Sequence, residues 1–546
     1  MAPRAAARLV SALALALAGA WGAACGDEPR TRAAAPPVYV PDASVVPDAA
    51  PAAAPFVVHV LALSDFHGAL DASAASGLGG AEYLAAHVAR RSTGASIFVG
   101  AGDLVGASPL ASGYFHDEGA VEALSAAGLA LSGLGNHELD EGLPELLRLQ
   151  RGGCHPVDGC RAAATFAGAR FRYLAANVRE RATGETIFAP YEIRTFGPAR
   201  IAFVGMTLQG TPQTTLASSV AGLDFAEEVS TMNALLPRIL AEGATAIVLL
   251  LHQGSRQTGS IDACDGLSGP IADLARRLPA EVRVVVSGHS HVAYNCLLSN
   301  KIVTNSGAKG QVLTDIELRF DRASGAYTGG AARNVPVTHD VPPDPAVLAV
   351  VDRYRSLVAP IAREAVGSLA APLRRAESLA GESALGAVVA DSMLAATAAA
   401  PALADVALMN SGGLRADLPA GELTYGAAYE ALPFANPLAT VSLNGGELLG
   451  FLESNLSSPL QVAGMTYAYD PTAPAGARIA AADVVIGGAP LSLAGTYRVT
   501  VSAYLFDRLA IGTGKVTSGE DLDAFVTYAR ARSPLAPPAT PRITLR

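Results

Sequence analysis

The sequence predicts an α/β protein of two folded domains, and three observations lead to that prediction. From Phe56 to about Val337 one pattern repeats: a short β-type apolar run, a polar or glycine-rich turn, then a helical stretch. The stretch VPVTHDVPPDP interrupts it with proline. A second alternation follows, and 546 residues, 50% of them apolar, exceed what one compact core normally holds. The expected plan is an export signal over 1–25, a tether over 26–55, a first α/β domain over 56–337, a linker and connecting helix over 338–365, and a second α/β domain over 366–546.

The first residues, MAPRAAARLVSALALALAGAWGAACGDE, carry arginines at positions 4 and 8, an apolar core through Ala20, and small residues up to Cys25. This pattern is that of a secretory signal. GAAC resembles a bacterial lipoprotein cleavage box, with Gly22 where a larger aliphatic is usual, so Cys25 is a candidate for lipidation; ordinary cleavage after Ala20 or Ala24 is the alternative. From Asp27 to Pro55 the chain is mostly Ala, Pro and polar residues, with four valines and Tyr39 its only large apolar side chains, which predicts a flexible tether. No later stretch is long and apolar enough to span a bilayer. The expected location is therefore periplasmic or at the cell surface, with membrane contact only through a lipid on Cys25. A net charge of −10 leaves no basic stripe for a nucleic-acid polymer. A small anionic substrate is compatible with it, because metals and a few local arginines override the global field.

In the first domain the chemistry lies in how the apolar runs end. The run from Phe56 closes with Ser64-Asp65-Phe66-His67-Gly68, and Ile97-Phe98-Val99 closes with Gly100-Ala101-Gly102-Asp103. The run at Leu129 ends in Asn136 and His137, Ile247 to Leu251 ends in His252, and Val282 to Val286 ends in Ser287-Gly288-His289-Ser290-His291. Strands of an α/β sheet bring their carboxyl ends to one edge, so Asp65, His67, Asp103, Asn136, His252, His289 and His291 should meet there. Two carboxylates, one amide oxygen and four imidazoles make a ligand set for two borderline divalent cations, with Asp103 the economical bridge. His59, His87, His116, His155 and His339 are expected to be hydrogen-bonded loop residues.

With Cys25 set aside, Cys154, Cys160, Cys264 and Cys296 remain, and an even count in an exported chain suggests two disulfides. The favoured connectivity joins Cys154 to Cys160 within GGCHPVDGC and Cys264 to Cys296. Free buried thiols, or a metal knuckle using His155, are the alternatives.

The series SDFHG, GAGDLVGASP, GLGNHELDEG, LLHQG and SGHSH resembles the calcineurin-like metallophosphatases, in the form found in secreted 5′-nucleotidases and UDP-sugar hydrolases. The resemblance implies a four-layer α/β/β/α sandwich for the first domain. It assigns one metal to Asp65, His67, Asp103 and His291 and a second to Asp103, Asn136, His252 and His289, with His291 where some members carry glutamine. It also implies that His137 faces the substrate and that Asp140 orients it. Hydrolysis of a phosphate ester needs an activated water, neutralised phosphoryl oxygens and help for the leaving alkoxide, which agrees with that division. A purely structural alternative for Asp140 is to cap the helix beginning near Gly142.

After the proline break, Ala346 to Ala365 reads as the connecting helix. Farther on, a strand runs into Gly412-Gly413 and presents Arg415, whose guanidinium can grip phosphate or carboxylate through two parallel bonds. Phe434 and Asn436 lie in a loop bounded by Pro433 and Pro437, and Tyr504 follows the strand Tyr497 to Val501. Two such rings can sandwich a nucleobase, at roughly 1 to 3 kcal/mol per base. NSGGLRADLPAGELTYG and LPFANPL are similar to the C-terminal 5′-nucleotidase domain, an α/β nucleotide-recognition unit whose matching arginine, phenylalanine and asparagine contact the nucleotide. Arg375 matches a phosphate-facing arginine of that family, whereas a second basic position four residues later is Leu379 here. Around Tyr504 this chain reads SAYLFDRLAIGTG in place of a GGDGY-like loop, a change that bears on the exact substrate.

The expected function is an exported phosphohydrolase releasing phosphate from small nucleotides with two divalent ions, zinc, manganese, iron and cobalt all suiting the ligands. Alternatives in the same class are a 2′,3′-cyclic nucleotide phosphodiesterase and a hydrolase of UDP-sugars or dinucleotides. From another class comes a non-catalytic surface binding lipoprotein, which should have lost ligands; all seven are present.

Overall fold

Side chains along the first strand, Phe56–Leu63, alternate between two cores. Val58, Val60 and Ala62 face one, Leu61 and Leu63 the other, and all five are fully buried. In the computed structural model, which describes residues 54–73, 75–509 and 512–546, this strand is third in a six-stranded sheet. The order is Tyr327–Pro336, Val312–Phe320, Phe56–Leu63, Ser96–Ala101, Leu129–Gly133 and Arg172–Leu174, the last four parallel. A second six-stranded sheet runs Tyr294–Leu298, Lys301–Asn305, Val282–Ser287, Ala246–His252, Ala199–Thr207 and Tyr191–Phe196, with the middle four parallel.

The two sheets face each other across Val58, Val60, Val99, Phe203, Leu250 and Val284. Helices Ala81–Arg91, Glu118–Ala126 and Leu143–Arg151 cover the outer face of the first sheet, and Glu228–Ala241 and Pro270–Arg277 that of the second. The result is the expected four-layer α/β/β/α sandwich. Strands buried on both faces explain the continuous apolar runs, which carry no polar alternation.

The connecting helix is Pro345–Ala362, begun by the Asp344 carboxylate, which accepts from the N–H groups of Ala346 and Val347 at 3.0 Å. It stops three residues short of the expected end because Ala365–Leu369 pairs as a strand with Gly421–Thr424. Nor is it a mere linker. Val347, Val351 and Tyr354 are buried in the same apolar cluster as Leu70, Leu84 and Phe115. Residues 53–546 accordingly form one compact unit.

Beyond that helix a five-stranded sheet has the order Gln461–Ala463, Val406–Met409, Thr496–Ser502, Pro437–Asn444 and Thr513–Glu520. Cys154 is bonded to Cys160 and Cys264 to Cys296, the pairing favoured above. Among the described residues no helix is long and apolar enough to cross a membrane. The expected signal, the lipidation candidate Cys25 and nearly all of the tether lie outside the described residues.

Candidate metal centre and active site

Five strand ends deliver the expected side chains to one place. Ligand atoms of Asp65, His67, Asp103 and His291 lie within 4.8 Å of one another, as do those of Asp103, His252 and His289, so Asp103 belongs to both groups. Asn136 joins the second through its Oδ1, 3.0 Å from His289 Nδ1. Asp65, His67, Asp103, His289 and His291 all have left-handed backbone, with φ between 49° and 69°. For residues with a Cβ this costs of order 1 kcal/mol each and persists where surrounding structure enforces it, commonly at functional sites.

Second partners fix the imidazoles. His67 Nδ1 sits 2.8 Å from the Gly106 carbonyl and His252 Nδ1 2.8 Å from that of Ala101, so each Nδ1 carries the proton and each Nε2 presents a lone pair inward. His252 Nε2 then faces Asp103 Oδ2 at 3.0 Å with 0% and 1% of the two side chains exposed, yet it has no aligned hydrogen-bond partner. Asp65 Oδ2 is buried and unpartnered as well. His67 Nε2 and His291 Nε2 stand 2.9 Å apart. Lone pairs and carboxylate oxygens converging without donors are disfavoured in a buried site unless a cation lies among them. The donor set therefore fits divalent metals of the zinc and manganese type.

Burial sets the charges here. It pushes His67 well below its ordinary value and brings His289 and His291 down to about 4, leaving three neutral imidazoles as metal binding requires. His252 behaves oppositely: burial disfavours its cation, but Asp103, by charge and hydrogen bond, and Asp65 outweigh burial and shift it upward, so a metal ion binding at Nε2 would displace a proton there.

Beside this centre, His137 Nδ1 lies 2.7 Å from Asp140 Oδ2, and its backbone N–H donates to Asp103 Oδ1 at 2.9 Å. Burial opposes protonation of His137, but Asp140 and Asp103 prevail and carry its pKa to about 9. Gly142 begins the helix Leu143–Arg151 with no side-chain cap, so the Asp140 carboxylate does not cap that helix and lies instead against His137.

A cavity of ≈ 310 Å³ opens from His137 and Asp140 toward Arg415, Phe434, Asn436 and Tyr504. The Phe434 ring lies 5.9 Å from that of His137 at 21°, and the Arg415 guanidinium 5.7 Å from the Phe434 centroid. Asn436 Nδ2 donates to Asp521 Oδ2 at 3.4 Å. Arg375 stands back from the cavity wall, its Nη1 donating to the Arg415 carbonyl at 3.0 Å. Tyr504 sits in a helical turn, Ala503–Leu509, where the changed loop begins.

Some supporting residues were not anticipated. Glu138 accepts three backbone N–H groups, from Asp103 at 2.9 Å, Leu104 at 2.8 Å and Gly135 at 2.6 Å, stapling two ligand loops together. Gly102 and Gly135 allow that closeness, since a Cβ on either would collide with the other loop. Asp117 accepts from Gly106 N–H at 2.9 Å and so helps hold the residue whose carbonyl faces His67. The two glycines were the readable part, since glycine beside a ligand motif suits close backbone approach; of the rest the sequence showed only Glu138 itself, inside GLGNHELDEG.

The remaining histidines are hydrogen-bonded, though His59 lies in a strand and His87 in a helix instead of loops. His116 and His155 stack at 3.7 Å, with His116 bonded to Glu141 and Asp158.

Two family profiles match the chain: calcineurin-like phosphoesterase over residues 58–293 and 5′-nucleotidase, C-terminal domain, over residues 361–509. The chain is 27% identical to the endonuclease YhcR of Bacillus subtilis over 87% of its own length and 40% of that protein. It is 29% identical to the cell wall protein Lmo0130 of Listeria monocytogenes, over 82% of this chain and 63% of the relative. It thus spans less than two thirds of either. A solved 5′-nucleotidase precursor from Thermus thermophilus is similar with a TM-score of 0.72 at 26% identity, covering 90% of this chain and 99% of that one.

Proposed function

We propose that this chain, which belongs to the calcineurin-like phosphoesterases carrying a 5′-nucleotidase C-terminal domain, is an exported phosphohydrolase that releases phosphate from nucleotides. The observation that carries the reading is the donor-poor cluster around Asp103: His252 Nε2 at 3.0 Å, His67 Nε2 at 3.7 Å, and Asp65 Oδ2 without a partner. Asp65, His67, Asp103 and His291 would hold one divalent ion, and Asp103, Asn136, His252 and His289 a second. Such a pair, when bound, supplies an activated water and neutralises charge on the phosphoryl oxygens.

The chain's own residues do the rest. Asp140 accepts the Nδ1–H hydrogen bond of His137 and so leaves Nε2–H to give its proton to the leaving oxygen. Asp140 is already the strongest support of the imidazolium, ahead of Asp103, and would remain so if Asp103 held a divalent ion. Arg415 faces the same cavity with a charge suited to phosphate. Phe434 and Tyr504 offer rings to the base, and Asn436, steadied by Asp521, offers a polar group. The bonds Cys154–Cys160 and Cys264–Cys296 agree with an oxidising compartment.

Manganese- or zinc-loaded protein is expected to release phosphate from AMP, to stop with chelator and to recover when metal returns. Failure to release phosphate from any of a panel of nucleoside mono- and diphosphates, cyclic nucleotides and UDP-sugars would overturn the reading. Phe434→Ala should raise KM for AMP by about tenfold, the worth of one stacked base, while p-nitrophenyl phosphate is turned over nearly as before. Equal losses on both substrates would show that the ring supports only the fold.

A further inference from the structure

We propose that Thr215 is a positioning residue for the His137–Asp140 pair, and that the segment 208–220 is a strap holding the pair against the cavity. This rests on the phosphohydrolase reading above and deepens it. The Asp140 carboxylate divides its oxygens: Oδ2 lies 2.7 Å from His137 Nδ1, and Oδ1 accepts the Thr215 hydroxyl at 3.1 Å. The main chain of Asp140 is held too, its carbonyl accepting the Ser219 hydroxyl at 2.8 Å. An aspartate carboxylate has a broad, roughly two-fold torsion, so one partner on one oxygen leaves it free to swing. A second partner on the other oxygen removes that freedom and fixes where the imidazole points.

The strap is itself anchored at both ends. Where it leaves the strand Ala199–Thr207, Gln209 N–H donates to Glu228 Oε1 at 2.9 Å, and the Thr211 hydroxyl donates to the Leu208 carbonyl at 2.8 Å. Thr215 N–H then donates to Thr211 O at 3.2 Å, and the Thr215 side chain is 4% exposed, which confines its rotamer. At the far end Ala217 N–H donates to Asp507 Oδ2 at 2.9 Å. Asp507 lies in the turn Ala503–Leu509 that also carries Tyr504. Thr214, Thr215 and Leu216 line the cavity between Asp140 and Tyr504. The element that presents a ring toward the substrate is thereby joined, through Ala217 and Thr215, to the carboxylate that aims His137.

The test is steady-state hydrolysis of AMP by the manganese-loaded full chain. Thr215→Val, which keeps the shape and loses the hydroxyl, should lower kcat about tenfold, the effect of removing one hydrogen bond to a charged acceptor. KM should stay within about twofold and metal content unchanged, the signature of an interaction that acts on turnover and not on ground-state binding. Thr215→Ser should restore most of the rate. Thr215→Ala carries the same expectation as valine, so a folding defect peculiar to one replacement does not decide the matter. In a His137→Ala background the loss on Thr215→Val should vanish, since Thr215 acts through that imidazole.

An unchanged kcat, a loss confined to KM, or an undiminished tenfold loss without His137 overturns the strap. Wild-type protein that releases no phosphate would remove the phosphohydrolase reading and this role together, whereas active wild type indifferent to Thr215→Val removes only the role.

Discussion

Asp103→Ala is expected to drop metal content from two equivalents per chain to nearly none and to abolish most phosphate release. One oxygen of this side chain serves both halves of the centre: Oδ2 is 3.0 Å from His252 Nε2 and 3.7 Å from His67 Nε2. Removing any other ligand leaves three groups around one position and touches the second only indirectly. Removing Asp103 takes a carboxylate from both and leaves His252 without its nearest anion. Loss of several kcal/mol of charge stabilisation at phosphorus corresponds to a fall on the order of a thousandfold or more. Metal analysis after dialysis checks the first part, and melting curves supply a readout independent of activity. Ions that bind only the folded chain raise the melting temperature of wild type by mass action and should leave that of the variant nearly unmoved. Two retained equivalents in Asp103→Ala would contradict the bridging assignment.

The positions of the seven candidate ligands were legible because each stands at the carboxyl end of an apolar run, and parallel strands must deliver those ends to one edge. The four layers were legible for a related reason: runs with no polar alternation have to be covered on both sides. What the sequence did not announce is how the ends are held. Glu138 reads as one more acid in HELDEG, and only the folded chain shows its two oxygens receiving N–H groups from Asp103, Leu104 and Gly135. Thr215 lies 75 residues from the carboxylate it touches, and a lone threonine in a polar loop has no periodicity to betray it. The left-handed backbone of Asp65, His67, Asp103, His289 and His291 was equally hidden, since such conformations are ordinarily read from glycine.

In the second half the legible part was narrower. Arg415, Phe434, Asn436 and Tyr504 do line one cavity with His137, but Arg375 is turned to the Arg415 carbonyl. A motif gives a residue's neighbourhood, while the direction of a long flexible side chain is set by hydrogen bonds that only the fold specifies. His116 and His155 make the same point from the other side. Read singly they were two loop histidines, yet the short loop closed by Cys154–Cys160 lays one ring on the other.

His137→Ala should separate metal binding from turnover. The imidazole is not among the groups clustered for metal, so both equivalents should remain after dialysis. Turnover of AMP should nevertheless fall on the order of 10² to 10⁴, the usual range for a positioned acid or base in phosphate-ester cleavage. The loss should shrink for an ester with a good leaving group such as p-nitrophenyl phosphate, because a phenolate of low basicity needs little protonation. Asp140→Asn should give a loss of the same kind but smaller, since an amide can still accept at one atom while no longer supporting the imidazolium by charge. If His137→Ala instead lost metal in parallel with activity, the ring would have to be counted among the ligands. If it slowed both esters equally, His137 would act on the phosphoryl oxygens and not on the leaving group.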